Sequence, residues 1–289
     1  MHEIAKIRVL AMGRIITGPV WKGKNWSAHA GAGSIHDDQT ATGLGFRGGT
    51  VAGDVHMNQF PPVLLQAFGP AWFETGHLSL DFRNATVDGE AVQVFLEQDE
   101  INPKKASVWM ERDDGMLVCR GTAAVEDHDN SELGNRDLRA SDPSALTLLR
   151  KLEPGMVLSK QEICITPDKQ FERFDAHLIS DPLDFYRTGS HWGGVIACPS
   201  TLVEFMWGPP TRGLGDLVGA AVGLFGAIEV RHVQGPVLIN HSYLLESQII
   251  SLGESPKTEY FWFDSSLSSE ALGLVATFRM QLRFMKPTV

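Results

Sequence analysis

The feature that most constrains this chain is a polar run, EDHDNSELGNRDLRASDPS, from Glu126 to Ser144, with the same order of signals on either side of it. Such a run reads as a linker, and a repeated order reads as an internal duplication. Before the linker, a glycine-rich segment from Ala30 to Gly53 leads into an apolar stretch, Phe60 to Phe73. Two β-rich segments follow, Leu78 to Glu97, broken at Asp88-Gly89, and Ser107 to Val125, broken at Asp113-Asp114-Gly115. Alternation such as Leu78, Leu80, Phe82 predicts strands with one buried face. After the linker come an extended lead-in at Met156 to Ile165, a helically spaced segment at Phe171 to Ile179, the Gly193-Gly194 pair and Leu202 to Trp207. Long β-rich stretches close the chain at Ile228 to Leu252 and Glu259 to Phe284, where Tyr260, Phe261, Trp262 and Phe263 suit sheet positions buried on both faces. The expected organisation is a unit at 1–125, a linker at 126–145 and a second unit at 146–289. Each unit reads as strand, helix, then long antiparallel strands.

Composition narrows the function classes. The 289 residues carry 43 % apolar and 21 % charged residues, an ordinary globular balance. The net charge of −10 and the lack of a basic block disfavour nucleic acid as a partner. Cys119, Cys164 and Cys198 are too far apart for a Cys-x-x-Cys pair, which fits a reduced, cytoplasmic compartment and predicts no metal site. The first ten residues hold Glu3, Lys6 and Arg8, unlike a signal peptide, and the longest apolar stretch, Leu217 to Ile228, is too short to span a bilayer. The glycines at 215, 219 and 223 suggest a closely packed helix there. Gly43, Gly45 and Gly48 fit G-x-G-x-x-G, but no apolar strand precedes them, so dinucleotide binding is not expected.

The most informative stretch is Ser34-Ile35-His36-Asp37-Asp38, then Ala41, then Gly45-Phe46-Arg47-Gly48-Gly49-Thr50-Val51-Ala52-Gly53. It resembles the MaoC-like acyl-CoA hydratase and dehydratase family, whose pattern runs Asp, any residue, Asn, Pro, an apolar residue, His, any residue, Asp. His36 falls on the catalytic histidine, Ile35 on the apolar position and Asp38 on the trailing acid. The catalytic aspartate falls on Gly31, the asparagine on Gly33 and the proline on Ser34. In the second half Asp181 falls on the aspartate, Asp184 on the proline and Tyr186 on the histidine. One half thus keeps the histidine and the other the aspartate.

The resemblance implies an α+β double hotdog: two curved antiparallel sheets, each wrapped around a central helix, joined edge to edge. It implies an acyl thioester, of CoA or an acyl carrier, as partner and water added or removed across C2–C3, with no cofactor. A homodimer is also expected. His36, Asp181 and Tyr186 are then the candidate catalytic groups, and Asp38, Gly48, Gly49 and Gly53 the candidate substrate-binding ones, with enolate donors at the glycine turn. Hydration suits histidine because both its protonation states are accessible near neutrality. Read without the family, Asp181 is equally an N-cap before Pro182, and Tyr186 a pocket-wall aromatic. His56, Asn58 and Trp72 line a pocket or belong to the scaffold, and Lys22, Lys24 and Arg47 are the candidate cluster for CoA phosphates. A hotdog thioesterase and a degenerate binding subunit are the competing readings.

Overall fold

The computed structural model describes residues 14–127, 131–180, 184–218 and 221–287. In chain order the first half contains β1 (Ile15–Thr17), β2 (Trp21–Lys22), α1 (Asp38–Gly43), α2 (Gly53–Met57), α3 (Pro61–Phe68), α4 (Ala71–Thr75), β3 (Gly76–Phe82), β4 (Ala91–Gln98), β5 (Lys105–Arg112) and β6 (Leu117–Val125). The second contains β7 (Val157–Cys164), α5 (Pro167–Asp175), α6 (Pro199–Thr211), α7 (Gly215–Val218), β8 (Gly223–His232), β9 (Ser242–Glu254), β10 (Thr258–Ser269) and β11 (Gly273–Met285). The turns foreseen at Asp88-Gly89 and before Met116 separate β3 from β4 and β5 from β6, with Gly89 and Gly115 at φ of 80° and 77°.

All eleven strands form one antiparallel sheet in the order β1-β4-β5-β6-β3-β8-β11-β10-β9-β7, with β2 beside β4. Read inward from either edge, the two halves have the same strand order, so the duplication seen as a repeat of signals is also a repeat of topology. The halves meet where β3 pairs with β8, from His77 opposite Arg231 to Asp81 opposite Ala227. This pairing removes two edges that would otherwise be free to capture other strands.

The helices lie on one sheet face. Leu78 and Leu80 of β3, Phe261 and Phe263 of β10 and Phe278 and Met280 of β11 are buried against Phe60, Leu64, Trp72, Phe73, Leu202 and Met206. The apolar stretch from Phe60 to Phe73 is two short helices rather than one. Gly69, at φ 66°, ends α3, and Pro70 precedes α4. The helix suggested by the glycines at 215, 219 and 223 is not formed: α7 has four residues, Gly223 opens β8, and Gly219 lies outside the described residues. The preference of 223–232 for strand wins because pairing on both sides satisfies its backbone.

The polar connector does not hang free. From Ser131 onward it crosses the outer sheet face, burying Leu133 against Ala227 and Trp262. This is why the Phe261-Trp262-Phe263 run is buried on both faces. Buried Glu229 accepts from the Ser79 hydroxyl and, at 2.9 Å, from Ser131. Arg136 straddles both oxygens of Asp81. Glu259, only 2 % exposed, accepts from the backbone N–H groups of Thr147, Leu148 and Leu149 at 2.9, 2.8 and 3.0 Å. No helix among the described residues is long and apolar enough to cross a membrane.

Glu259→Ala strips three backbone donors, that of Leu149 buried, of a charged acceptor at once. Urea unfolding is expected to show a loss of about 3 kcal/mol, whereas a change below about 0.5 kcal/mol would mean that the Thr147 to Leu149 turn stands without it.

Candidate functional site

His36 sits on a braced loop. Asn25 Nδ2 donates to the His36 carbonyl at 2.8 Å, and Asp37 caps α1 by accepting from the Thr40 amide at 2.8 Å. Asp38 Oδ1 accepts from the Gly49 amide at 2.7 Å. A Cβ at Gly49 would overlap the His36 carbonyl oxygen. Gly49 therefore lets two stretches of the loop touch, and its N–H is already taken by Asp38. Asp38 and Gly49, expected at the substrate, bond to each other within the histidine loop, and neither they nor Gly48 wall the two cavities beside His36.

The His36 ring has one defined tautomer. Nδ1 lies 2.7 Å from the Thr50 carbonyl oxygen, which can only accept, so Nδ1 carries the proton and Nε2 of the neutral ring offers a lone pair. Burial lowers the pKa from its ordinary value, against the opposing pull of the Thr50 carbonyl. The ring stays neutral at pH 7, a state suited to a base.

Two cavities meet at His36. The larger, about 730 Å³, lies between the halves and is walled by His36, Ala52, Asp54 and Val55 from the first and by Arg173, Glu204, Trp207, Phe225 and Phe284 from the second. The smaller, about 220 Å³, is lined by His36, Gly53, His56, Phe82, Arg83 and Arg283, with Phe225 common to both. Gly53 opens α2 at the wall of the smaller one, packed so closely that a Cβ there would lie 2.7 Å from the Phe82 ring.

Asp54 is the residue that sequence reasoning missed. Burial raises its carboxyl to about 6, with the Arg173 guanidinium pulling down and the Glu204 carboxylate pushing up. Arg173 is not its ion-pair partner, being bound to Glu204, to Ser200 Oγ at 3.1 Å and to the Lys169 carbonyl at 2.7 Å. The signal was present as an acid directly after the glycine turn, among Val51, Ala52 and Val55.

Among the described residues, the corresponding helix start in the second half is closed by hydrogen bonds. At the start of α6, where α2 stands in the first half, Gln170 Oε1 accepts from the Cys198 amide at 2.8 Å and Asn58 Oδ1 from the Ser200 amide at 2.9 Å. Asn58 Nδ2 returns a bond to Ser200 Oγ at 2.8 Å. Tyr186 is 1 % exposed, edge-on to Phe73 and beside Phe174, with its hydroxyl unpaired among the described residues. Burial pushes that hydroxyl well above its usual range. Tyr186, expected among the catalytic groups, is a buried core aromatic that lines neither of the two cavities at His36. Asp181 lies outside the described residues.

Other expected residues sort as follows. His56 donates to or accepts from Thr86 Oγ1 at 2.8 Å, and burial pushes it down to about 4, so it is a neutral wall of the smaller cavity. Trp72 is scaffold, its Nε1 donating to the His77 carbonyl at 3.3 Å. Arg47 is paired with Glu90 and donates to the Ala85 carbonyl at 3.1 Å, which removes it from the suggested phosphate cluster. No group of three or more His, Cys, Asp or Glu among the described residues is placed to hold a metal ion.

The raised Asp54 pKa has a defined sign for stability. The folded state holds this proton more tightly than the unfolded chain, so ionisation destabilises the fold as pH rises from about 4 to about 6 and the penalty is complete above. Asp54→Asn is expected to stabilise by on the order of 2 kcal/mol at about pH 7.5, discounted for the access the cavity gives to water, and to be neutral at about pH 4. Urea titrations at both pH values check this; equal stability at the higher pH would place Asp54 in solvent.

No protein-family model matches the chain, and no curated protein matches it in sequence. Solved structures do match. A protein described as a MaoC-domain dehydratase from Chloroflexus aurantiacus shares 12 % identity at a TM-score of 0.60, with 96 % of each chain covered. A Mycobacterium tuberculosis protein of double hotdog fold shares 14 % identity at 0.61, over 96 % of this chain and 97 % of that one. A protein described as an oleoyl thioesterase from Lactobacillus plantarum shares 9 % identity at 0.51, over 95 % and 98 %. The repeated strand order, the helices held on one sheet face and these likenesses agree: the chain has the double hotdog fold found in MaoC-like dehydratases.

Proposed function

We propose that this protein is a hydro-lyase that adds water across, or removes it from, the C2–C3 bond of an acyl thioester. The observation that carries the reading is that a His36 Nε2 with a free lone pair and the Asp54 carboxyl, whose pKa burial raises to about 6 so that it keeps its proton in mildly acidic solution, wall one 730 Å³ cavity. Hydration of an enoyl thioester needs a base for water and an acid for C2. In the proposed step, His36 Nε2 takes a proton from water as its oxygen bonds to C3, and the Asp54 carboxyl delivers its proton to C2. Electron density moves transiently onto the thioester oxygen, and solvent exchange resets the two groups. Asp54 then does the work of the aspartate that the family pattern places at Gly31. Gly53 retains its proposed part as the residue that opens α2 on the wall of the smaller cavity, with its own N–H as the enolate donor, since the Asp54 and Val55 amides already serve the Asp54 carboxyl. The likeness to MaoC-like dehydratases supports the direction of this reading; the oleoyl thioesterase likeness supports the alternative in which Asp54 activates water against the carbonyl carbon.

The test is a product assay on trans-2-enoyl-CoA substrates. Loss of enoyl absorbance without free thiol is expected, and stoichiometric thiol release would replace the proposal with thioester hydrolysis. His36→Gln is expected to lower kcat by about 10²-fold or more with the thermal midpoint nearly unchanged. In the wild type, kcat/KM should fall as pH rises through about 6, where Asp54 loses its proton in the free protein. A profile flat from about pH 5 to about pH 8 would remove Asp54 from the chemistry.

A further inference from the structure

We infer that the gap between β3 and β8, next to His36, is a binding passage for a phosphate-bearing arm of the substrate, with Arg83 and Arg283 as its anion-recognising mouth. The inference rests on the acyl-thioester reading for the identity of the arm. The passage itself rests on backbone geometry. The β3–β8 ladder ends at Asp81 opposite Ala227, yet β3 runs on to Phe82 beside β6, and β8 begins at Gly223 beside β11. Beyond Asp81 the two central strands are therefore unpaired with each other.

A bulge accounts for the parting. Along β11, Gln281 opposes Ala227 but Leu282 opposes Phe225, which leaves Gly226 as the extra residue. Such a bulge bends its strand and ends pairing on the far side. A Cβ there would overlap Gln281 Oε1 and lie 2.6 Å from Arg283 Nε, so any other residue would displace these two side chains. A cavity of about 220 Å³ lies at the opening, and His36 and Gly53 share its wall with Arg83, Asn84, Leu224 and Arg283.

The charge around these arginines is unbalanced. Three guanidiniums, Arg83, Arg136 and Arg283, stand near two carboxylates: Arg136 engages both oxygens of Asp81 and, at 2.7 Å, Glu132. Arg83 reaches Asp81 only at 3.3 Å and its side chain is 44 % exposed. Arg283 donates through Nε to Gln281 at 2.8 Å, and its two terminal nitrogens donate to no group among the described residues. Burial, with Arg83 and Arg136 nearby, lowers the Arg283 pKa, so an incoming anion would relieve a standing cost. A local cationic excess in a chain of net charge −10 calls for an anion. The larger cavity, with Trp207, Phe225, Leu282 and Phe284, suits the acyl chain. A thioester centred at His36 would then put its phosphate end at the arginines.

Titration calorimetry with pantetheine, 4′-phosphopantetheine and CoA tests this without any turnover. The full chain is expected to bind 4′-phosphopantetheine at least about tenfold more tightly than pantetheine, the scale of one charge-assisted contact. Arg83→Gln and Arg283→Gln should each erase most of that difference while leaving pantetheine binding and the melting temperature unchanged. CoA binding more tightly than 4′-phosphopantetheine assigns a CoA thioester, and equal affinity assigns a carrier-protein arm. Equal binding of pantetheine and 4′-phosphopantetheine by the wild type, or discrimination that survives in Arg283→Gln, overturns the inference. Because no chemistry is measured, phosphate-dependent binding in a protein that neither hydrates nor dehydrates would sink the proposed reaction and leave the passage standing.

Discussion

The backbone ladder between β3 and β8 is the constraint on which the rest depends. It makes two five-stranded arrays and the short strand β2 into one sheet, so the helices of both halves share a single face and a single core. It also places α2 against α6, where Asn58 and Ser200 exchange hydrogen bonds, and so fixes the depth of the cleft between them. The ladder covers only part of each strand, and its termination matters as much as its presence. Where it stops, His36 is within reach of space on both sides.

Polar residues buried on the outer face make the ladder specific. Ser79 and Asp81 on β3 and Glu229 on β8 would be costly if left without partners. The connector supplies them through Ser131 and Arg136, so it acts as a strap across the junction. A segment that looks like a tether by composition is therefore part of the folded body. Its charges are the matching half of an arrangement written some fifty or more residues earlier and about a hundred later.

Much of the architecture was legible in the sequence because periodicity is local. Alternation in Leu78-Leu80-Phe82 and the turn glycines at 89 and 115 announce strands and hairpins without knowledge of the partner. The repeated order of signals announced the duplication. The His36 loop was legible through its resemblance to a known pattern, but the roles of its neighbours were not. Asp38 and Gly49 meet across eleven residues, a contact that no spacing rule exposes. Tyr186 and Gln170 were opaque for the same reason: whether a polar group caps a helix or faces a cleft depends on chain that arrives from elsewhere. Asp54 was readable as a helix-start acid, but its raised pKa comes from burial beneath the other half and from the nearby Glu204, information a local window does not hold.

The filled start of α6 gives the duplication a direction. With Gln170 and Asn58 seated on its amides, the start of α6 is taken up by internal bracing, and the earlier copy leans on that bracing through Asn58. A substitution that vacated Asn58 would therefore not simply restore a twin. It would loosen the buttress beneath the open side, so symmetry could return only by weakening the half that remains open.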